Sequence, residues 1–208
     1  MARKSSKNRM EPRKRPAQVR SAETVAAIVE AAARILEDKG FRGYNTNDVA
    51  ARAGVSIGSL YQYFPNKDAI TKALLRRETE PLSAALEQVG DAPSLAEGLH
   101  HFIRAAVAHQ LRRPVLARLL DFEEARLPLQ AEVGALGDVG AKALARLLAR
   151  HGAGRGAAAR TASRDLFAIA RGMIDAAGER GETDARGLET RVAAAMSGYL
   201  ERMKIIDL

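Results

Sequence analysis

Two backbone breaks close together, Gly54 and Pro65, constrain this chain more than any other feature. An apolar-periodic run carrying Val49, Ala50 and Ala53 stops at Gly54, and a second run opens at Ser56 and stops before Pro65. Two short helices joined by a tight glycine turn make a helix-turn-helix, whose second helix can enter the major groove of duplex DNA. Small Ala50 and Ala53 let the second helix cross closely. Gly54 supplies the positive φ of the turn, and Val55 fills the angle between the helices. Leu60 and Phe64, four residues apart, anchor the second helix on the core and leave Ser56, Ile57, Ser59, Tyr61, Gln62 and Tyr63 facing outward.

The outward residue types suit DNA. Gln62 can pair with base edges, preferentially adenine, and Ile57 can pack on a thymine methyl. Gly58 allows close approach of the backbone. Ser56, Ser59, Tyr61 and Tyr63 carry hydroxyls for phosphates, contacts that position without specifying. Lys67, at the start of the next helix, adds a cation where free N–H groups already favour an anion, and Asn45, Thr46 and Asn47 do the same at the start of the first.

The rest of the chain reads as helix. Hydrophobic residues make up 47%, many of them alanine, while aromatic residues are only 4%. Strands therefore lack their usual material, and the expected class is all-α. Val25, Ile28, Val29, Ala32, Ile35 and Leu36 recur at helical steps, with Ser21 as the expected cap and Gly40 as a left-handed terminator. Asn66 caps a further helix reaching about Val89, which Pro81 could bend. After a Gly90–Pro93 linker, helical segments follow at about 94–111, 114–125, 128–150, 157–179 and 184–204. Gly134, Gly137 and Gly140 weaken the third of these, so a break is possible there. The Gly152–Gly156 run reads as a connection rather than a phosphate loop, since no strand precedes it and no Gly-Lys-Ser/Thr follows.

Several function classes are excluded or disfavoured. The absence of cysteine rules out disulfides and thiolate chemistry. No apolar run approaches the roughly 20 residues a membrane helix needs, and no apolar stretch follows the charged start as in a signal peptide. A cytoplasmic protein with no membrane partner is expected. No Gly-x-Ser-x-Gly elbow, His-Glu-x-x-His pair or nucleotide fingerprint occurs, so no enzyme is expected.

The formal net charge is +8, and it is concentrated at the start. Arg3, Lys4, Lys7, Arg9, Arg13, Lys14, Arg15 and Arg20 face a single carboxylate, Glu11, and leave the remainder nearly neutral. Such an arm points to a polyanionic partner through counterion release. The alternative is a solubilising disordered tail.

The stretch with Gly40-Phe41, Asp48-Val-Ala50, Ala53-Gly-Val-Ser56, Gly58-Ser-Leu-Tyr61, Tyr63-Phe64 and Lys67 resembles the TetR family of bacterial transcriptional regulators. The resemblance covers about residues 18–70 and departs from the family at Tyr44-Asn45. Beside the disordered basic arm over 1–17 that charge and Pro12 and Pro16 indicate, it implies a three-helix helix-turn-helix domain over 18–67 and a helical effector-binding and dimerisation domain over 68–208. It further implies a homodimer on a palindromic operator, released by a small-molecule effector that the sequence does not name. An activator of the same fold and a non-specific architectural DNA-binding protein are the alternatives.

In the second domain, Leu166, Ala170, Met173 and Ala177 line one face, and Leu188, Val192, Met196, Tyr199 and Met203 another. They are candidate dimer faces, the alternative being an intramolecular core. Phe102, Phe122 and Phe167 are candidate ligand contacts, together with His109, a polar group on the apolar stripe of Leu95, Leu99, Phe102 and Ala106. The alternative for His109 is a satisfied core histidine. His100 and His101 are adjacent and form no i,i+4 metal pair, so neither metal nor cofactor is expected.

Overall fold

The computed structural model describes residues 19–126, 130–153 and 156–205. The basic arm read at residues 1–17 lies outside them. Nine helices occur among the described residues: α1 (Val19–Gly43), α2 (Thr46–Ala53), α3 (Ile57–Tyr63), α4 (Lys67–Val89), α5 (Leu95–Arg112), α6 (Pro114–Arg126), α7 (Gln130–Arg150), α8 (Gly156–Glu179) and α9 (Ala185–Arg202). No strand occurs among these residues, in accord with the all-α class. The chain divides into two compact units, Met1–Glu78 and Thr79–Leu208. The division falls inside α4, about three turns beyond the expected boundary at residue 67, because the first turns of α4 bury Ala69, Ile70 and Leu74 with the first unit.

In the first unit, Ile28, Ile35 and Leu36 of α1, Val49 of α2, Leu60 of α3, Phe64, and Ile70 and Leu74 of α4 are at most 1% exposed. These are the periodic apolar positions, so the hydrophobic stripe of each helix is its core face. Polar bonds then fix where the helices sit. Tyr44, before α2, is buried, and its hydroxyl lies 2.9 Å from that of buried Thr71 on α4. Arg77 of α4 pairs with Glu30 of α1 at 3.0 Å and with Glu78 at 2.6 Å. Glu78 is only 6% exposed. Its carboxylate is tolerable there because a guanidinium accompanies it.

Two expectations about α1 need correction. Ser21 is not a cap: the helix is already formed at Val19, and the Ser21 hydroxyl lies 3.1 Å from that of Tyr63. Gly40 does have positive φ, but at φ 61° and ψ −162° the chain turns into an extended conformation, not a left-handed helical one. A short helical turn follows to Gly43.

The second unit is built around α8, which packs against α5, α6, α7 and α9. Its core includes Leu86, Phe102, Val107, Leu144, Leu147, Leu166, Ile174, Val192 and Leu200. The expected dimer faces are corrected here. Leu166, Ala170, Ala177, Leu188, Val192 and Met196 are all at most 1% exposed within the single chain. The apolar stripes of α8 and α9 are consumed by each other and by α5, so the reading as an intramolecular core is the right one for them. Met173 and Tyr199 are only partly buried, and Met203 is exposed.

Helix α7 runs unbroken through Gly134, Gly137 and Gly140, and the possible break there does not occur. A Cβ on Gly140 would stand 2.6 Å from the Phe167 ring, so glycine here admits the aromatic side chain rather than breaking the helix.

Removing the Phe64 ring by Phe64→Ala should lower stability by about 3–5 kcal/mol, whereas exposed Gln62→Ala should fall within about 0.5 kcal/mol of wild type, read by urea denaturation. A second expectation concerns alkaline pH. The Tyr199 hydroxyl donates to the Asp165 carboxylate at 2.5 Å, and this bond, with burial and the carboxylate charge, pushes the phenol up to about 12 from 10.0. The unfolded phenol loses its proton first. The stabilisation is therefore complete below pH 10 and is lost as pH rises through about 12. Tyr199→Phe should abolish that part of the alkaline stability loss, measured as the wild-type-minus-variant difference across this window.

Candidate DNA interface

The geometry of the helix-turn-helix begins with its caps. Asn45 accepts from the Asp48 N–H at 2.9 Å and starts α2, so the Tyr44-Asn45 departure from the family pattern leaves the cap intact. Gly54 ends α2 at φ 68° and ψ 29°, a left-handed conformation, and its N–H bonds to the α2 carbonyls. A Cβ there would meet nothing within 4 Å, so glycine is favoured by backbone conformation and not by crowding. Ser56 starts α3 by accepting from the Ser59 N–H at 3.0 Å. Asn66 accepts from Ala69 at 2.9 Å ahead of α4.

The proposed DNA-facing residues sort into three groups. Asn47, Gly58 and Gln62 are exposed, and Ile57 is 38% exposed despite being apolar. Nothing crowds Gly58; the nearest atom to a Cβ there would be the Ser56 hydroxyl at 3.9 Å. These side chains or backbone surfaces are open to a duplex. A second group supports its own helices. Asn45 and Ser56 act as caps, and the hydroxyls of Ser56 and Ser59 lie 2.8 Å apart.

The third group bridges between elements. Tyr61 is 40% exposed, and its hydroxyl lies 3.1 Å from that of Thr46, tying α3 to the start of α2. Tyr63 is half-buried, with its hydroxyl against Ser21. The two tyrosines thus point to different neighbours. Lys67 is also partly buried, its ammonium 5.3 Å from the centre of the Tyr44 ring, in cation–π range. In the sequence Tyr44 stands out only as part of the Tyr44-Asn45 departure from the family pattern, with no role attached to it. The available signal was an aromatic residue in a polar segment just before a helix, with a lysine at the start of a later one.

The cations near this surface are partly spoken for. Arg52 of α2 pairs with Asp38 at 2.7 Å, and Lys39 pairs with Asp48 at 3.5 Å. Helix α3 itself contains no basic residue. Its chemistry is hydroxyl, amide and apolar.

In the second unit, two of the four expected ligand contacts, Phe102 and Phe167, come together. Phe102 is buried and packs edge-on against Phe167, ring centres 6.3 Å apart at 75°. His109 is half-buried on α5. Phe122 is 60% exposed. The buried side of α6 carries Leu116, Leu120 and Glu123, and Phe122 lies one helical step of about 100° away.

Gln110, which the sequence reading passed over for its neighbour His109, is the polar residue on the inner face of α5. It is 4% exposed, follows Ile103 and Val107 at helical spacing, and lies 3.5 Å from Asp121. Choosing the stripe through Ile103 and Val107 instead of that through Ala106 would have found it. A depression of about 410 Å³ on α5 is lined by Ala96, Glu97, His100, His101 and Arg104, none of them an expected ligand residue. His100 and His101 border it together, although no group of three or more potential metal ligands occurs among the described residues.

Comparison with known proteins agrees with this architecture. The model of bacterial regulatory proteins of the tetR family matches residues 28–74, and that of the tetracyclin repressor-like C-terminal domain matches residues 94–200. The A-factor receptor protein of Streptomyces griseus is 33% identical over 102 residues, 49% of this chain and 34% of that protein. The HTH-type transcriptional regulator EthR of Mycobacterium tuberculosis is 34% identical over 68 residues, 33% of this chain and 32% of that one. The chain thus spans about a third of the length of these curated relatives. A Mesorhizobium loti chain assigned to the same family shares the fold, with a TM-score of 0.70 at 21% identity, covering 88% of this chain and 98% of its own. Over half of this chain is matched by the family's C-terminal model and its helix-turn-helix by the N-terminal one, so the chain belongs to the tetR family of bacterial regulatory proteins.

Proposed function

We propose that this protein is a sequence-specific transcriptional repressor that binds a palindromic operator as a homodimer and is released by a small molecule. The observation carrying this reading is the exposed surface of α3. Ile57, Gly58 and Gln62 are open to solvent while Leu60 and Phe64 hold the helix to the core. A solvent-exposed isoleucine and glutamine on a short, firmly anchored helix fit base edges better than they fit any role in stability. The family is one of regulators rather than enzymes.

A single recognition helix reads only a few base pairs, so a dyad with half-sites about 34 Å apart supplies the missing information. With the apolar stripes of α8 and α9 used internally, the outer faces are what remain for self-association. Ala168 and Gly172 on α8 and Ala194 on α9 are exposed, and a Cβ at Gly172 would meet nothing within 4 Å. Small residues there permit close approach of a second pair of helices in a four-helix bundle. Release by a ligand requires that it favour the state that does not bind DNA. Support for a ligand comes from the A-factor receptor protein, a relative whose name makes it a receptor.

Selection of bound sequences from random duplex should return a palindrome; a set without a dyad would overturn the reading. Gln62→Ala should relax base preference by about 1–3 kcal/mol at one position per half-site. Lys67→Ala should weaken binding to all sequences alike. Equal losses on specific and random duplex for both variants would reverse these assignments. Gly172→Arg should convert a dimer to a folded monomer in sedimentation and remove operator binding, because the substituted side chain has room in the monomer but not between packed helices. A thermal-shift screen of small metabolites, followed by DNA-release assays on the hits, tests the effector.

A further inference from the structure

We propose that Tyr44 is a positioning residue for the DNA interface, holding the Lys67 ammonium in place for a backbone phosphate without neutralising it. This inference rests on the DNA-binding reading above and names a residue that acts there through another.

Tyr44 meets Lys67 by two routes. Its ring faces the Lys67 ammonium, with 5.3 Å from the nitrogen to the ring centre. Its hydroxyl lies 2.9 Å from that of Thr71, and Thr71 donates in turn to the Lys67 carbonyl at 3.2 Å. With the Thr71 proton committed to that carbonyl, the Tyr44 hydroxyl is the donor to Thr71. The two routes form a closed circuit of contacts that starts and ends on Lys67. Tyr44 is 3% exposed and Thr71 is fully buried, so the aromatic face that meets the ammonium is fixed by the core behind it.

Charge gives an independent argument. As the first residue of α4, Lys67 stands at the positive end of the helix dipole, where a cation lowers helix stability. The fold therefore gains little from that charge, whereas an arriving phosphate meets both the ammonium and the free N–H groups of the first turn. Arg52 and Lys39 are held by the carboxylates of Asp38 and Asp48, which order these side chains but also offset their charge. An aromatic ring orders a cation and leaves its charge intact. A free lysine loses rotamer freedom when it reaches a phosphate. One already held by a ring has lost it in advance, and binding is tighter by that difference. Tyr44 also lies where the chain departs from its family pattern, so this support belongs to the present sequence rather than to the fold at large.

The test uses the full chain with Tyr44→Leu, Tyr44→Phe, Lys67→Ala and the double variant Tyr44→Leu, Lys67→Ala. Affinity for a selected duplex and for random duplex is measured, together with the NMR shift of the Lys67 ε-methylene group. Loss of a partly exposed cation–π contact corresponds to about two- to fivefold in affinity. Tyr44→Leu should weaken binding to both duplexes by that factor and keep the preferred sequence. With Lys67→Ala already present, Tyr44→Leu should cause no further loss. Tyr44→Phe keeps the ring and should restore most of the affinity. In the wild type and Tyr44→Phe, the ring current should move the Lys67 methylene upfield with and without duplex, and Tyr44→Leu should return it to the ordinary lysine position. Equal losses from Tyr44→Leu with and without Lys67 would overturn the proposal, because a merely structural role weakens both backgrounds alike. An ordinary methylene position in the wild type, free or bound, would overturn it too, and that measurement decides the case even if Tyr44→Leu does not fold. Absence of DNA binding by the wild-type chain would overturn the DNA-binding reading as well, whereas equal losses would leave that reading intact.

Discussion

The burial of Leu60 and Phe64 is the constraint on which the rest depends. Helix α3 is seven residues long, far below the roughly 12–15 residues at which even favourable helices persist alone in water. It exists because these two side chains are fully buried, because Ser56 caps its start, and because Gly54 permits the sharp turn before it. Ordering so short a segment costs backbone entropy that only tertiary packing can offset. The same packing frees the opposite face. An isoleucine and a glutamine can stay exposed because the stability of the helix does not rely on them.

Around that anchor, polar contacts do a different job. Tyr44 bonds Thr71, Tyr61 bonds Thr46, and Tyr63 bonds Ser21, so each tyrosine of the first unit joins two elements distant in sequence. Neutral hydrogen bonds of this kind contribute only about 0.5–1.5 kcal/mol each. Their larger effect is directional, since a hydroxyl pair fixes register where apolar burial alone would tolerate sliding. The Glu30–Arg77–Glu78 chain adds charged contacts that link α1 and α4. A recognition surface needs that precision, because base edges are discriminated by hydrogen-bond geometry.

Legibility differed sharply between the two units. In the first, short elements with glycine, proline and asparagine at their ends made boundaries readable, and the caps Asn45, Ser56 and Asn66 all lie where the residue types imply. Ser21 misled because a serine before an apolar run fits a cap equally well from inside a longer helix. In the second unit, alanine-rich helices offered several apolar stripes of similar quality. The stripe through Leu166 and Ala170 marks a buried face correctly but does not say what buries it, and it is this chain's own helices that do so. For the same reason Gln110 was missed beside His109.

The sequence by itself determined the helical class, the position of the turn at Gly54, the anchoring pair Leu60 and Phe64, and the concentration of charge at the start of the chain. All of these follow from local rules: periodicity, backbone conformation, capping and charge count. Tertiary structure alone decided which hydroxyls are occupied, which cations are already paired, which polar residue of α5 turns inward, and that the apolar faces of α8 and α9 are spent on the core. Such choices depend on contacts between residues far apart in sequence, and a helical stripe carries no label for its partner.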